Sequence, residues 1–490
     1  MIVTAFAQLR FAASLLSGRR FSVRGLRRTV ADLLATIEEF GEPTEEARDL
    51  LTARAETDPD VIRHIAESRL KKAVRTAAAR TPFYADLFAR HGIDPGAVTL
   101  ASFSSLPRTP KSALRDAPFA FVSDRAEPVL MAQTTGTTGT PTCVWFSRYE
   151  LEAITSFSAL SLMLFDGIRP RHVIATLFSN RSTYTLVSMQ QTGLLIGAGV
   201  VAIGMVDPRD ALERLATPLQ IPGKAPRITH VSVTSSYLAA LVQQAERDGW
   251  GPRDFGLEQI FAAGEILTDS LRHRAEEIFG APVSETYSAT EITPIGGQVC
   301  SRGHLHIPPE QGYVEILDPE TGRPAEPGQV GTLVVTPYGL YRDTTLLIRY
   351  ETGDLVRTLP AGEPVECELR AIPATSRILG RAGTAAAHRA RDILDVLEGE
   401  RAVPLPARYA LIESACGACL YVVVSDLSPE VTGRLESRLF ERAVGIDEVI
   451  AVADKASLPV PCPVRADLRE PSSAAALHGA ADREPARSGA

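Results

Sequence analysis

Apolar positions along the chain change their spacing several times, and each change marks a different kind of element. Between about residues 30 and 90 they recur every three or four positions, as in TVADLLATIEEF and VIRHIAESRLKKAVRTAAAR, which predicts amphipathic helices. Short β-rich runs then alternate with helical ones. PVLMAQ, HVIATLF, GVVAIGM and THVSVTS read as strands, and YLAALVQQAERDG and DSLRHRAEEIFG as helices. That alternation predicts α/β sheets with helices packed on their faces. After Glu310 the pattern becomes strand, Pro/Gly turn, strand in YVEILDPETGRPAEPGQVGTLVVTPY, the mark of an antiparallel β subdomain. A second break falls near Gly380-Arg381. Beyond it a helix (AAAHRARDILDVLEGE), a strand (CLYVVVSD), a helix (PEVTGRLESRLFERAVG) and a strand (EVIAVAD) predict a small α+β unit. The expected organisation is a large multi-subdomain α/β domain over residues 1–380, a small α+β domain over 381–470, and a disordered Ala/Ser/Pro tail over 471–490.

Composition narrows the function classes. A hydrophobic share of 45% is that of an ordinary globular protein, and a net charge of −8 leaves no basic excess to neutralise a nucleic-acid backbone. Met1 to Arg28 is apolar and arginine-rich, but Arg10 interrupts the apolar run, so a helix packed on the body is expected rather than a targeting segment. The glycine-rich run Gly193 to Val206 is too short to span a bilayer. The expectation is a cytoplasmic protein without membrane or nucleic-acid partners. Six cysteines in 490 residues do not make a disulfide framework.

The sharpest chemical feature is Gln133-Thr134-Thr135-Gly136-Thr137-Thr138-Gly139-Thr140-Pro141-Thr142, set between two predicted strands. Glycines let backbone approach a ligand closely, and the hydroxyls and free N–H groups can donate to phosphate oxygens. A nucleotide-binding P-loop would need Lys-Ser/Thr after the second glycine, which is absent. Phosphate cradle and solvated turn are both open on this segment alone.

The loop has company. TPFYADLFARHGIDP, LPRTPKSALRD and TTGTTGTPTCVWFSRYEL follow one another between Thr81 and Glu150. HVSVTSSYLAALV, FAAGEILTDS, ETYSATEI, LLIRYETGDLVR and RILGR come after them. In order and spacing these segments resemble the phenylacetate–CoA ligase branch of the adenylate-forming, acyl-activating enzymes.

The resemblance implies that Thr134, Thr135, Gly136, Thr137, Thr138 and Gly139 cradle phosphate, and that Gly264 and Glu265 place backbone against adenine. It implies that Tyr287 covers the adenine face, Thr290 contacts phosphate, Glu291 holds Mg²⁺, Asp354 binds the ribose hydroxyls and Arg381 contacts ribose or phosphate. An aromatic plane suits a base, a hard oxygen ligand suits magnesium, and a carboxylate accepts from two neighbouring hydroxyls. Phe178, Tyr184, Thr234, Ser235, Tyr237 and Ala263 are the implied acid pocket.

The implied reaction joins a small, partly aromatic acid to ATP as acyl-AMP, with AMP then displaced by CoA. An amine, a carrier thiol or a small inorganic nucleophile in a specialised pathway are alternatives, as is a homologue that binds nucleotide without catalysis. A homodimer is one expected assembly.

Four departures from the family pattern stand out. Thr140 occupies a lysine position of the loop, and Ala382, Gly383 and Thr384 stand where a hinge aspartate is usual. Pro463-Val464 replaces a glycine-lysine pair, which leaves Arg465 or Lys455 as the cation for adenylation. The Ile-Arg-Gly loop is also missing; with both the hinge aspartate and the lysine gone, weak or absent CoA ligation is expected. Some relatives bind structural zinc through a Cys-x-x-x-x-x-His and a Cys-x-Cys. Cys300, His304 and His306 lie at the first place and Cys367 at the second, with Leu369 in the last cysteine's position. A zinc site and a relic of a lost one are both open.

Overall fold

The computed structural model describes residues 13–14, 18–44, 46–47, 59–134, 141–180, 182–383, 387–414 and 417–459. The expected tail at 471–490, Arg465 and most of the Gly/Thr loop lie outside them. None of the described helices is long and apolar enough to cross a membrane.

Helices Val23–Phe40 and Pro59–Arg80 fall where the three- and four-residue spacing predicts them. Leu26 and Val30 bury the inner face of the first, which packs on helices Arg148–Leu164 and Thr183–Ile196. β1 (Pro128–Gln133) and β2 (Cys143–Ser147) form an antiparallel pair. A capping box between Ser147 and Glu150 then starts helix Arg148–Leu164.

The main sheet has eight strands. β3 (Val173–Leu177), β4 (Gly199–Ala202), β5 (His230–Val233), β6 (Gln259–Ala263) and β7 (Val283–Ser288) pair in parallel. β8 (Gly296–Val299) and β9 (His304–His306) continue the sheet antiparallel. β3 is buried at every position, as a strand covered on both faces must be. β10 (Gly312–Leu317), β11 (Val330–Pro337) and β12 (Tyr350–Arg357) form the antiparallel sheet expected after Glu310. β13 (Ala374–Ser376) closes the edge of the main sheet, and β14 (Gly380–Arg381) pairs with β12. The sequence break near Gly380-Arg381 thus falls within β14, and Arg381 still belongs to the antiparallel sheet.

β15 (Tyr409–Ser414), β16 (Gly417–Val423) and β17 (Glu448–Val452) make a separate three-stranded sheet. Together with helices Ala390–Glu398 and Pro429–Glu441 it has its own apolar core. β15 is a strand that the sequence reading omitted. Its apolar run is short and borders the polar Glu413-Ser414, so it gains its identity only from pairing with β16.

Helix Ala390–Glu398 also docks on helix Asp269–Phe279. The Ser270 N–H donates to Asp395 Oδ1 at 2.8 Å, Thr268 Oγ1 is hydrogen-bonded to Glu398, and Arg274 donates to the Glu398 carbonyl at 2.7 Å. Two carboxylates thus sit at a helix N-terminus, where the unpaired N–H groups favour negative charge.

Candidate active site

A cleft of about 230 Å³ opens beyond the carboxyl ends of β3, β5, β6 and β7. In an open parallel sheet this is where side chains from several strands converge on a ligand. Phe178, Thr234, Ala263, Gly264, Glu265, Tyr287, Thr290 and Glu291 lie at or just past those strand ends, and all line it.

Local backbone chemistry explains two of these positions. Gly264 has φ 82°, and a Cβ added there would meet nothing within 4 Å, so the turn after β6 leaves open space at its backbone. The pairing of β12 with β11 slips between Thr332 and Val334, and Gly353 on β12 has φ 79°. This bulge aims Asp354 into the cleft, directly opposite Arg381 on β14.

Asp354 is held from both sides. Tyr287 donates its hydroxyl to Oδ2 at 2.8 Å, and Arg381 donates Nε and Nη2 to Oδ1 at 3.2 and 3.0 Å. Burial, and then the Asp354 charge, push the Tyr287 phenol well above its ordinary range, so it stays a donor. The carboxylate beside Arg381 likewise raises the guanidinium.

Glu291 is 2% exposed and is also paired: Lys111 Nζ lies 2.7 Å from Oε1, and the Tyr350 hydroxyl donates to it at 3.2 Å. Burial and the Glu291 charge raise Tyr350 well above the usual phenol value. The segment after Glu291 is anchored by Arg342, whose Nη1 donates to the Thr293 carbonyl at 2.8 Å. Arg342 is in turn steadied by Glu150, which accepts the N–H groups of Asp343 and Thr344.

Thr134 closes the base of the Gly/Thr loop: its N–H donates to the Thr142 carbonyl and its Oγ1 accepts from the Thr142 N–H, both at 3.0 Å. Thr135, Gly136, Thr137, Thr138 and Gly139 lie outside the described residues.

Of the expected acid pocket, Phe178, Tyr184, Thr234 and Ala263 line the cleft. Tyr184 stacks on Phe146 with ring centroids 4.8 Å apart, and burial pushes its phenol up to about 12. Ser235 and Tyr237 are placed elsewhere. Ser235 donates to the Glu265 carbonyl, while Tyr237 turns into the core below the sheet and donates to the Val206 carbonyl at 2.6 Å. Both lie just inside helix Ser235–Asp248, whose rotation carries them away from the opening. The Glu265 side chain accepts the Ser236 N–H at 2.6 Å and so serves that helix N-terminus.

Lys111 is a charged cleft residue that the sequence did not single out. It lay inside a quoted segment, LPRTPKSALRD, but nothing local marks it, because its partner Glu291 comes from a distant strand end. Lys455 is not among the lining residues.

Away from the cleft, ligand atoms of Cys300, His304 and His306 lie within 4.8 Å of one another, and Cys367 Sγ is 3.4 Å from His306 Nε2. Leu369 is buried instead. A second cluster, His172, His230 and Glu258, has a different character. His172 Nδ1 accepts the Arg169 N–H, so the proton of the neutral ring sits on Nε2 and no lone pair faces the cluster.

The chain is similar to several known proteins. The model of the family described as AMP-binding enzyme matches residues 50–342. A phenylacetate-coenzyme A ligase from Thermus thermophilus is 32% identical over 301 residues, 60% of this chain and 65% of the relative. Its namesake from Pseudomonas putida is 29% identical over 320 residues, 64% of this chain and 70% of that one. The match thus spans just under two thirds of the Thermus enzyme. A 2-hydroxyisobutyryl-CoA ligase structure superposes with a TM-score of 0.67 at 22% identity, covering 85% of this chain and 90% of its own, so the two share a fold. With the family's pattern spread over more than half its length, this chain belongs to the AMP-binding enzymes.

Proposed function

We propose that this chain activates a small carboxylic acid with ATP, releasing pyrophosphate and holding the acyl-adenylate for a second nucleophile. The observation that carries the reading is the presence of two buried carboxylates in one cleft. Asp354 is fixed by Tyr287 and Arg381, and Glu291 is set beside Lys111 and Tyr350.

The donor set fits a magnesium nucleotide. Asp354 would accept from both ribose hydroxyls, and the open backbone at Gly264 and Glu265 would take the edge of the base, with Tyr287 against its face. Glu291 would hold Mg²⁺, which neutralises charge on the phosphates when bound. Thr290 and the Gly/Thr loop would donate to phosphate oxygens.

Phe178, Tyr184, Thr234 and Ala263 would hold the acid with its carboxylate toward the α-phosphorus. One carboxylate oxygen then bonds to that phosphorus as the bond to pyrophosphate breaks. The chain's contribution is orientation and exclusion of water, with no covalent step of its own.

The names of the relatives make CoA the first acceptor to test, with the segment beyond Arg381 as a lid over the cleft, where Ala390 already lines the wall. Pyrophosphate release and ATP–pyrophosphate exchange with a panel of aromatic and small aliphatic acids test the first half reaction. Mass spectrometry of products with CoA tests the second. Exchange with at least one acid is expected. ATP binding without exchange for any acid would leave a nucleotide-binding homologue instead.

A specific observation favours zinc at the cluster of Cys300, His304 and His306. The His306 Nδ1–H points at the Ile372 carbonyl, 2.8 Å away, which leaves the Nε2 lone pair facing Cys367, and His304 Nδ1 is buried with no partner. Cys300, His304, His306 and Cys367 together would suit a tetrahedral ion. Metal analysis of protein prepared without chelators should give one zinc per chain, lost in Cys300→Ser. Absence of zinc from the parent protein ends this reading.

A further inference from the structure

Lys111 is the first residue of helix Lys111–Asp116, and Pro110 before it holds an extended backbone that ends the preceding loop there. Its ammonium reaches into the cleft and meets Glu291 at 2.7 Å, with a quarter of the side chain open to solvent against almost none of the carboxylate. Among the described residues lining the cleft, three carry positive charge: Lys111, Arg115 and Arg381. Arg381 spends two donors on Asp354, and Arg115 lies 3.6 Å from Asp116. Lys111 alone stands at the carboxylate assigned to the metal.

We propose that Lys111 is the cation that receives the triphosphate, and that it neutralises Glu291 until nucleotide and metal arrive. The proposal rests on the nucleotide reading of the cleft and deepens it. A buried carboxylate with no counter-charge would repel a triphosphate, and the ammonium removes that repulsion in the empty site. Once the carboxylate turns to a divalent ion, the ammonium is free to face phosphate oxygens. Lysine suits such an exchange better than arginine, because a compact charge on a flexible stem can change partners without breaking a two-pronged contact. This chain has particular use for such a residue, since Thr140 and Pro463-Val464 occupy the two places where relatives were expected to carry lysine.

The test uses the full-length protein and reads ATP binding by calorimetry, with excess EDTA and separately with magnesium, alongside acyl-AMP formation. Lys111→Ala should weaken metal-free ATP binding at least tenfold and lower acyl-AMP formation by a factor of about 10², the usual scale for losing one charge-stabilising donor. Glu291→Gln, and the same change combined with Lys111→Ala, supply the second comparison, and the double variant removes both charges of the pair. If Lys111 contacts phosphate, removing it from the Glu291→Gln protein still weakens metal-free binding at least tenfold. If Lys111 merely balances Glu291, that step changes nothing, and the proposal falls even should the single variant fail to fold. Parent-like metal-free affinity in Lys111→Ala overturns it equally. A parent protein that binds no ATP under either condition would instead defeat the nucleotide reading itself, before any variant is compared.

Discussion

Arg391 and Glu285 form a buried ion pair, Nη2 to Oε1 at 2.5 Å, that fastens helix Ala390–Glu398 to β7 of the main sheet. The rest of the guanidinium is also used, with Nε donating to the Ile378 carbonyl and Nη1 to the Leu267 carbonyl, both at 2.6 Å. Removing Arg391 leaves the buried Glu285 with only the longer contacts to Arg272 and Arg377, both at 3.9 Å. Arg391→Ala should therefore lower unfolding stability by about 3 kcal/mol, and it should speed limited proteolysis of the C-terminal segment. The double change Arg391→Met with Glu285→Gln should recover most of the loss. A single variant as stable to urea as the parent would mean that the Asp395 and Glu398 contacts hold this junction without the pair.

Asp354→Ala should weaken ATP binding at least tenfold, on the order of 1.4 kcal/mol, if the carboxylate receives the ribose hydroxyls. The variant also removes the acceptor of the Tyr287 hydroxyl and of two Arg381 donors. Calorimetry measures the affinity directly. An unchanged value would reduce Asp354 to a structural clamp between β12 and β14.

Much of this was legible in the chain. The strands β1, β3, β4 and β5 stand where apolar runs were bounded by turn residues, and the motif around Tyr287 and Glu291 announces itself by local order. Contacts made across the fold left no such trace. Lys111 meets Glu291, and Arg391 meets Glu285, only because separate strand ends and helices converge, and charge alone does not tell a solvated side chain from a buried one. Tyr237 shows the reverse error: it lies beside cleft residues in sequence, yet one turn of helix sends it into the core. Helix faces depend on where a helix begins, which the sequence marks loosely.

Glu291→Gln should lower acyl-AMP formation far more than ATP binding. The amide keeps the shape and can still accept from Tyr350, but it loses the charge that matters as the phosphate bond breaks. Rapid-quench measurement of acyl-AMP beside calorimetric affinity separates the two effects. Equal losses in both would assign Glu291 to holding the fold of the segment after β7.

Acid should loosen the main sheet at the amino end of β5, opposite the cleft, through His230. Burial, then neighbouring His172 and Arg171, bring this imidazole down to about 4. Its ring lies 4.8 Å from His172, itself lowered chiefly by burial, and its Nδ1 is 2.9 Å from Thr229 Oγ1. Glu258, 3.5 Å from His172 Nε2, is the acidic group of the cluster. An unfolded chain takes up a proton near pH 6.5, whereas the folded imidazole refuses it until about pH 4. The stabilisation is therefore complete above pH 6.5 and is lost as the pH falls toward 4. Between pH 7 and 5 the loss from this one group should be about 2 kcal/mol. Urea unfolding at the two pH values measures it, with His230→Gln as the control that cannot take up the proton. The variant should show a flatter dependence than the parent. Identical pH slopes in the two proteins would place the acid sensitivity on other groups, with His172 the next to replace.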